Sequence, residues 1–469
     1  MFFVLFSSKR CHLLVRGFHV GKHFSNPSTE DIVFKAICVN LRQRKWKLVD
    51  QMSSSLTDSI VSRVIREFRT SPELALEFFK WVGEYKSFSH SLESYCTVIH
   101  VLVNSRRYVD ALSLMKNLMQ TKGYSPLEVL ETLVDSYEMC LSSPAVFDSL
   151  VRACTQIGAT EGAFDVIKKL RMEGFGVSIH AWNNFLNHLL NFGEVGRFWM
   201  VYKEMVSLGY FENLHAFNLV IYAFCKECKL LEAISQFYRM SKGGIIANVV
   251  TFNMLIDGAC KMGDIDLALK ILRKMRVMTG DFVTPNSVTY NCLINGYCKL
   301  GRLSIAEEVQ NEMVKIGIEP NLRTYATLID GYSRNGSLEE AFRLCDDMVG
   351  RGLVPNTVVY NSIIHWLYLE RDMAGASLLL SDMIKKHVCP DSFTYSILMK
   401  GLCRNGYINE ALTYHKWILE KNLIEDDFSH NILINYLCKS KNIAGAKQLL
   451  GSMFIRGFIP DLSHIWYSN

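Results

Sequence analysis

The stretch VTYNCLINGYCKLGRLSIA, running from Val288 to Ala306, decides how the rest of the chain is read. Thirty-five residues on, the chain writes RTYATLIDGYSRNGSLEEA from Arg323, and 38 residues back it writes VTFNMLIDGACKMGDIDLA from Val250. A fourth version, FTYSILMKGLCRNGYINEA, begins at Phe393. Tyr290, Leu293, Ile294 and Tyr297 fall at i, i+3, i+4 and i+7, so they share one face of a helix. The turn LGRL, Leu300 to Leu303, separates that helix from a second. One helical hairpin cannot hide its apolar stripe, but a stack of hairpins can. The period therefore predicts an all-α protein, an α-solenoid of stacked helix-turn-helix repeats.

When the aromatic of "TYN" is counted as position 4, units begin at Pro144, Ile179, Leu214, Val249, Ser287, Leu322, Thr357, Ser392 and Asp427. Every step is 35 residues except the 38 from Val249 to Ser287, with the surplus placed near TGDFVTPN, Thr279 to Asn286. Ala at position 20 (Ala233, Ala268, Ala306, Ala341, Ala376, Ala411, Ala446) lets helices approach. Met at position 27 (Met205, Met240, Met275, Met313, Met348, Met383, Met453) fills irregular gaps. Glycine (Gly209, Gly244, Gly317, Gly352, Gly457) and then proline (Pro320, Pro355, Pro390, Pro460) end the second helix. Nine units thus occupy 144–461, and two degenerate hairpins with a longer connection through SYEMCLSS occupy 57–143. A helical or linker segment at 30–56 and a tail at 462–469 complete the expected organisation.

The first 29 residues differ from everything after them. No Asp or Glu appears before Glu30, while Lys9, Arg10, Arg16 and Lys22 are spread among Phe, Leu, Val and Ser. That is the composition of an organellar transit peptide, and Arg16-Gly17-Phe18 favours the mitochondrion, with the plastid as the alternative. No apolar run reaches the roughly 18 residues of a membrane span. Fourteen cysteines lack disulfide or zinc spacing. Cys225, Cys260, Cys298, Cys403 and Cys438 share one phase of the repeat and read as small packing residues, whereas Cys225-x-x-Cys228 stands without a second pair.

Packing explains the constant columns but not three polar ones. Position 5 reads Asn183, Asn218, Asn253, Asn291, Ala326, Asn361, Ser396 and Asn431. Position 35 of the same units reads Asn213, Asn248, Asn286, Asn321, Asn356, Asp391, Asp426 and Asp461. Asn or Asp before a helix is a preferred N-cap, worth about 1 kcal/mol, so position 35 has a structural explanation of its own. Asn inside a helix costs about 0.5 to 0.7 kcal/mol against Ala, so position 5 points to a task, with hydrogen bonding between helices as the alternative. Position 13 is Lys226, Lys261, Lys299, Arg334, Arg404 and Lys439, with Leu369 the exception. Basic residues suit any helix C-terminus, but stacking turns this column into a cationic stripe suited to phosphates. The mild net charge of +5 permits a nucleic-acid partner without demanding one.

The unit VTYN-x-LI-x-G-x-CK-x-G-x3-A, ending M-x3-G-x2-P-[ND], resembles the pentatricopeptide repeat in its plain 35-residue form, strongly over Pro144 to Asp461 and loosely over Thr57 to Ser143. The tetratricopeptide repeat has 34 residues; it wants Gly at position 8, where this chain has Ile256, Ile294, Ile329 and Met399. The resemblance implies a right-handed superhelix that binds single-stranded organellar RNA, one base per repeat. Positions 5 and 35 would face the base edge. Position 2 (Val250, Val288, Arg323, Val358, Phe393, Phe428) would pack between bases, and the position 13 cations would meet phosphates. By the family's pairings, Asn361 with Asp391 and Asn431 with Asp461 would select uracil, and Ser396 with Asp426 guanine. The four Asn–Asn units would prefer pyrimidines. Ala326 with Asn356 and Asp148 with Ser178 are left undecided.

No Walker loop, GxSxG, HExxH, Rossmann glycine pattern or deaminase zinc motif is present in register, so no catalysis, cofactor, metal or small-molecule substrate is expected. Action would be by occupancy in RNA stabilisation, processing, splicing or translation. The alternatives are a protein-binding scaffold in the same organelle and an adaptor that recruits an RNA-processing protein.

Overall fold

The computed structural model describes residues 29–84, 88–279, 283–420 and 428–455. Among them every regular element is helical, and they fall into two compact units, one up to Tyr210 and one from Phe211. The leader, Asp426, Gly457, Pro460, Asp461 and the tail lie outside the described residues, as does the side chain of Phe428.

The first unit contains α1 (Thr29–Arg42), α2 (Trp46–Asp50), α3 (Asp58–Glu67), α4 (Pro72–Glu84), α5 (Leu92–Asn104), α6 (Tyr108–Gln120), α7 (Pro126–Tyr137), α8 (Ala145–Gln156), α9 (Thr160–Met172), α10 (Ile179–Asn191) and α11 (Val195–Ser207). The second holds hairpins α12 (Leu214–Lys226) and α13 (Leu230–Lys242), α14 (Val249–Lys261) and α15 (Ile265–Thr279), and α16 (Ser287–Lys299) and α17 (Leu303–Lys315). It continues with α18 (Leu322–Arg334) and α19 (Leu338–Gly350), α20 (Thr357–Leu369) and α21 (Met373–Lys385), α22 (Ser392–Arg404) and α23 (Ile408–Glu420), and α24 (Phe428–Lys439) and α25 (Ile443–Ile455). Within this unit each first helix packs on the next first helix and on its own second helix. The 38-residue unit absorbs part of its surplus as helix, because α15 has 15 residues where α13 and α17 have 13.

Three interactions set the hairpin geometry. The position 20 alanines and position 27 methionines are all buried. The position 4 tyrosine of a first helix braces the second helix of its own hairpin: the Tyr325 hydroxyl donates to Asp347 Oδ2 at 2.5 Å, and that of Tyr360 to Asp382 Oδ2 at 2.9 Å. Successive first helices meet closely where a glycine faces the preceding unit's cysteine. A Cβ on Gly331 would lie 2.7 Å from Cys298 Sγ, and one on Gly258 2.7 Å from Cys225 Sγ.

Helix α7 was not legible in the 35-residue period. The connection expected to run through SYEMCLSS is preceded by a helix with Ser125 as N-cap, Pro126 at its start and a capping box closed by Glu128. It has no hairpin partner of its own. Instead α7 packs against α5 and α9, while α8 packs against α6 and α10. An odd helix therefore exchanges the rows: first helices before it (α3, α5) line up with α7 and α9, and first helices after it (α8, α10) line up with α6.

Candidate nucleic-acid interface

The position 35 residues begin the first helices, and their side-chain oxygens cap them. Asn213 Oδ1 accepts from the Ala216 N–H at 2.9 Å, Asn248 Oδ1 from Thr251 at 3.1 Å, and Asn356 Oδ1 from Val359 at 3.2 Å. Asn286 and Asn321 each accept from two N–H groups, and Asp391 Oδ1 from Thr394 at 2.8 Å. The capping explanation for this column is thus realised in the structure.

The position 5 amides do not project freely. Asn183, Asn218, Asn253, Asn291, Asn361 and Ser396 are all buried, and Asn431 and Ala326 half-buried. Each of three amides joins the next unit twice. Asn218, Asn253 and Asn291 donate from Nδ2 to the position 35 oxygens of Asn248, Asn286 and Asn321 at 3.5, 3.4 and 3.5 Å. Their Oδ1 atoms accept from the hydroxyls of Thr251, Thr289 and Thr324 at 2.7, 2.7 and 2.8 Å. The position 3 threonine is a partner that reading the sequence missed, although it recurs in every "TYN" or "TFN". Asn361 donates to Asp391 Oδ1 at 3.3 Å, but the Thr394 hydroxyl turns to Asp391, so the buried Asn361 Oδ1 has no partner. Ser396 bonds its own helix at Ser392 O, and Asp148 accepts from the Ser178 N–H at 2.8 Å.

What capping leaves is chemically distinct. The cap requires an oxygen towards the N–H, so exposed Asn286 and Asn321 keep Nδ2 as an unused donor. All the bonds to Asp391 fall on Oδ1, leaving Oδ2 as an acceptor. Burial raises the Asp391 carboxyl, but bonds from Thr394 and Asn361 outweigh it and hold the group below the ordinary carboxylate range, so it is ionised at neutral pH.

At position 2, Val250, Val288, Arg323, Val358 and Phe393 are exposed. The six position 13 cations are exposed as well. Two already have a carboxylate one turn back, Lys261 with Asp257 and Arg334 with Asp330, both at 2.6 Å. Lys226 and Lys439 lie over Tyr222 and Tyr436. Lys299 and Arg404 make no ion pair among the described residues.

Between α20 and α22 these columns converge on one cavity of about 630 Å³, lined by Val358 and Phe393, Asn361 and Ser396, Asp391 and Arg334. His365, Trp366 and Lys400 line it too. His365 and Lys400 stand at position 9, where no residue type recurs, and Trp366 replaces the glycine that recurs at position 10 (Gly258, Gly296, Gly331, Gly401), so no polar column pointed to them. Burial, then the Lys400 charge, lowers the His365 imidazole below its usual value, with Asp330 opposing. Two cysteines of the C-x-x-C stand apart in character, Cys225 buried in α12 and Cys228 exposed in the turn at φ 58°. Among the described residues no His, Cys, Asp or Glu cluster suits a metal ion, and no helix is long and apolar enough to cross a membrane.

Stacked 35-residue helical hairpins, with capped starts and a shared polar edge, define a helical-repeat protein. Residues 285–334, 324–358 and 355–404 match the PPR repeat family, and residues 145–175, 215–245, 243–276, 393–421 and 428–458 match PPR repeats. These segments cover more than half of the chain, and the protein belongs to the pentatricopeptide repeat family. It is similar to a mitochondrial pentatricopeptide repeat-containing protein of Arabidopsis thaliana, 56% identical over 317 residues, 66% of this chain and 48% of the relative. A second mitochondrial member from that plant is 28% identical over 248 residues, 51% of this chain and 45% of the relative. The chain thus spans about half the length of these curated relatives. The crystal structure of the pentatricopeptide repeat protein PPR10 in complex with an 18-nt psaJ RNA element shares the fold, with a TM-score of 0.53 and 17% identity over 91% of this chain and 64% of that one.

Proposed function

We propose that this protein binds single-stranded RNA in an organelle, holding one base between successive first helices and acting by occupancy. The observation that carries the reading is the cavity between α20 and α22. It gathers an apolar pair for the faces of a base, polar groups for its edge, and a cation for phosphate. The RNA-bound PPR10 structure and the mitochondrial relatives support the same reading, and the acid-free leader supports organellar delivery.

Position 35 supplies the sharper discrimination. A leftover amide donor suits a base edge that accepts, as cytosine N3 does, while the leftover carboxylate oxygen of Asp391 suits an edge that donates, as uracil N3–H does. The buried position 5 amides act mainly by aiming their position 35 partners. In the family's orientation the site reads 5′-?-Y-Y-Y-Y-?-U-G-U-3′, with Asp426 and Asp461 completing the last two units.

Selection from a random RNA pool, followed by filter binding at two salt concentrations, tests this. Pyrimidine-rich targets are expected, bound with a logarithmic salt slope of roughly −0.7 per neutralised phosphate. Purine-rich targets in the first five sites would overturn the base assignments. Absence of RNA affinity would instead favour a protein-binding scaffold.

A further inference from the structure

We propose that α7 and the loop after it close the nucleotide track, so that no base is held on the N-terminal side of α8. The proposal rests on the RNA reading above.

Counted from the N-cap Ser91, the residues Cys96, Thr97, His100 and Asn104 of α5 hold the places that Asn253, Met254, Asp257 and Lys261 hold on α14. On α14 that face is open, with Met254 and Asp257 half-buried and Lys261 exposed. On α5, Cys96, Thr97 and His100 are at most 2% exposed. What covers them is a single segment, Val129 to Ser143. The Cys96 thiol donates to the Val129 carbonyl. The His100 ring meets Ser142 Oγ at 2.6 Å through Nδ1 and Ser136 Oγ at 3.0 Å through Nε2. Asn104 Nδ2 donates to the Leu141 carbonyl at 3.1 Å, and its Oδ1 accepts from the Ser143 N–H at 3.0 Å.

The polar groups of Cys96, His100 and Asn104 on this face are therefore already paired, and water is excluded from Cys96, Thr97 and His100, leaving Asn104 exposed at the edge of the cover. A nucleotide could enter only by breaking the whole set together. Immediately beyond the cover the face reopens. On α8 Asp148 is half-buried, with Arg152 and Gln156 exposed, and on α10 His180, Asn184 and Asn187 are exposed. The exchange of rows at α7 points the same way, since α8 packs mainly on α6 and α10 while α5 packs mainly on α3, α6 and α7 and touches α8 only lightly. The degenerate hairpins therefore fix the upstream border of the RNA site rather than lengthen it.

Nuclease footprinting of the full chain, on a selected RNA carrying about ten extra 5′ nucleotides, tests the border. Protection is expected to stop at the nucleotide assigned to the unit beginning at Pro144, with affinity indifferent to the sequence upstream. Protection two nucleotides farther, with a base preference there, would overturn the cap while leaving RNA binding intact. A second measurement is site-resolved alkylation of Cys96, read by peptide mass spectrometry. It is expected to stay blocked with and without RNA. Exposure of Cys96 on RNA addition would mean that α7 swings aside and the cap is wrong. Absence of any RNA binding would remove the reading beneath the proposal, and the proposal with it.

Discussion

At position 35 one side chain caps a helix and, in the RNA reading proposed above, meets a base edge, and the two tasks fall on different atoms. Its Oδ1 closes the start of a helix, and the atom left over is a donor in Asn and an acceptor in Asp. Asp391→Asn should therefore keep the cap, because Asn and Asp cap equally well. It should move preference at that site from uracil towards cytosine by about tenfold, the effect of ~1.4 kcal/mol. Binding of RNA pairs differing only at that nucleotide measures it; an unchanged ratio would show that Asp391 does not discriminate. The capping role was legible in the sequence, since Asn or Asp stood before the first helix of every unit from Asn213 onward. The burial of position 5 was not, because the threonine that locks Asn218, Asn253 and Asn291 belongs to the following unit.

Helices in this stack approach through small residues. Gly331 faces Cys298, and a methyl group there would sit within 2.8 Å of both its Cβ and its Sγ. Gly331→Ala gains helix propensity, yet the overlap between two buried helices outweighs that gain. A net loss of about 2 kcal/mol is expected, seen as a lower urea midpoint. Pairing it with Cys298→Ala should restore part of the loss by making room, and a double variant no better than the single one would contradict the contact. Elements that repeat were legible for the same reason that they pack: Ala306, Met313 and Tyr290 recur because each unit meets the same neighbours. Helix α7 packs between α5 and α9 instead of pairing with a second helix of its own, so its sequence does not follow the regular unit. Its capping box at Ser125 and Glu128, with Pro126 in the first turn, was the local sign of a helix start.

Across the whole molecule, stability is distributed through neighbour contacts rather than held in one core. The staple between α5 and α7 is an exception that titrates. Burial pushes the His100 imidazole down to about 4, so it is neutral in the folded protein. Its folded value lies below the unfolded one, so the unfolded chain takes up the proton first. The stabilisation is complete above about pH 6.5 and is lost as pH falls towards 4, at most about 3 kcal/mol. Urea unfolding of the wild-type chain and of His100→Gln between pH 7.5 and 4.5 checks this; equal pH slopes would count against it. The double duty proposed for the helix starts reaches just as far. An apolar or aromatic residue at position 35 would forfeit a cap worth about 1 kcal/mol to its helix before it addressed any partner. If this column reads bases as proposed, new specificities are therefore weighted towards a short alphabet of oxygen-bearing letters, favoured by helix initiation whatever the molecule being recognised.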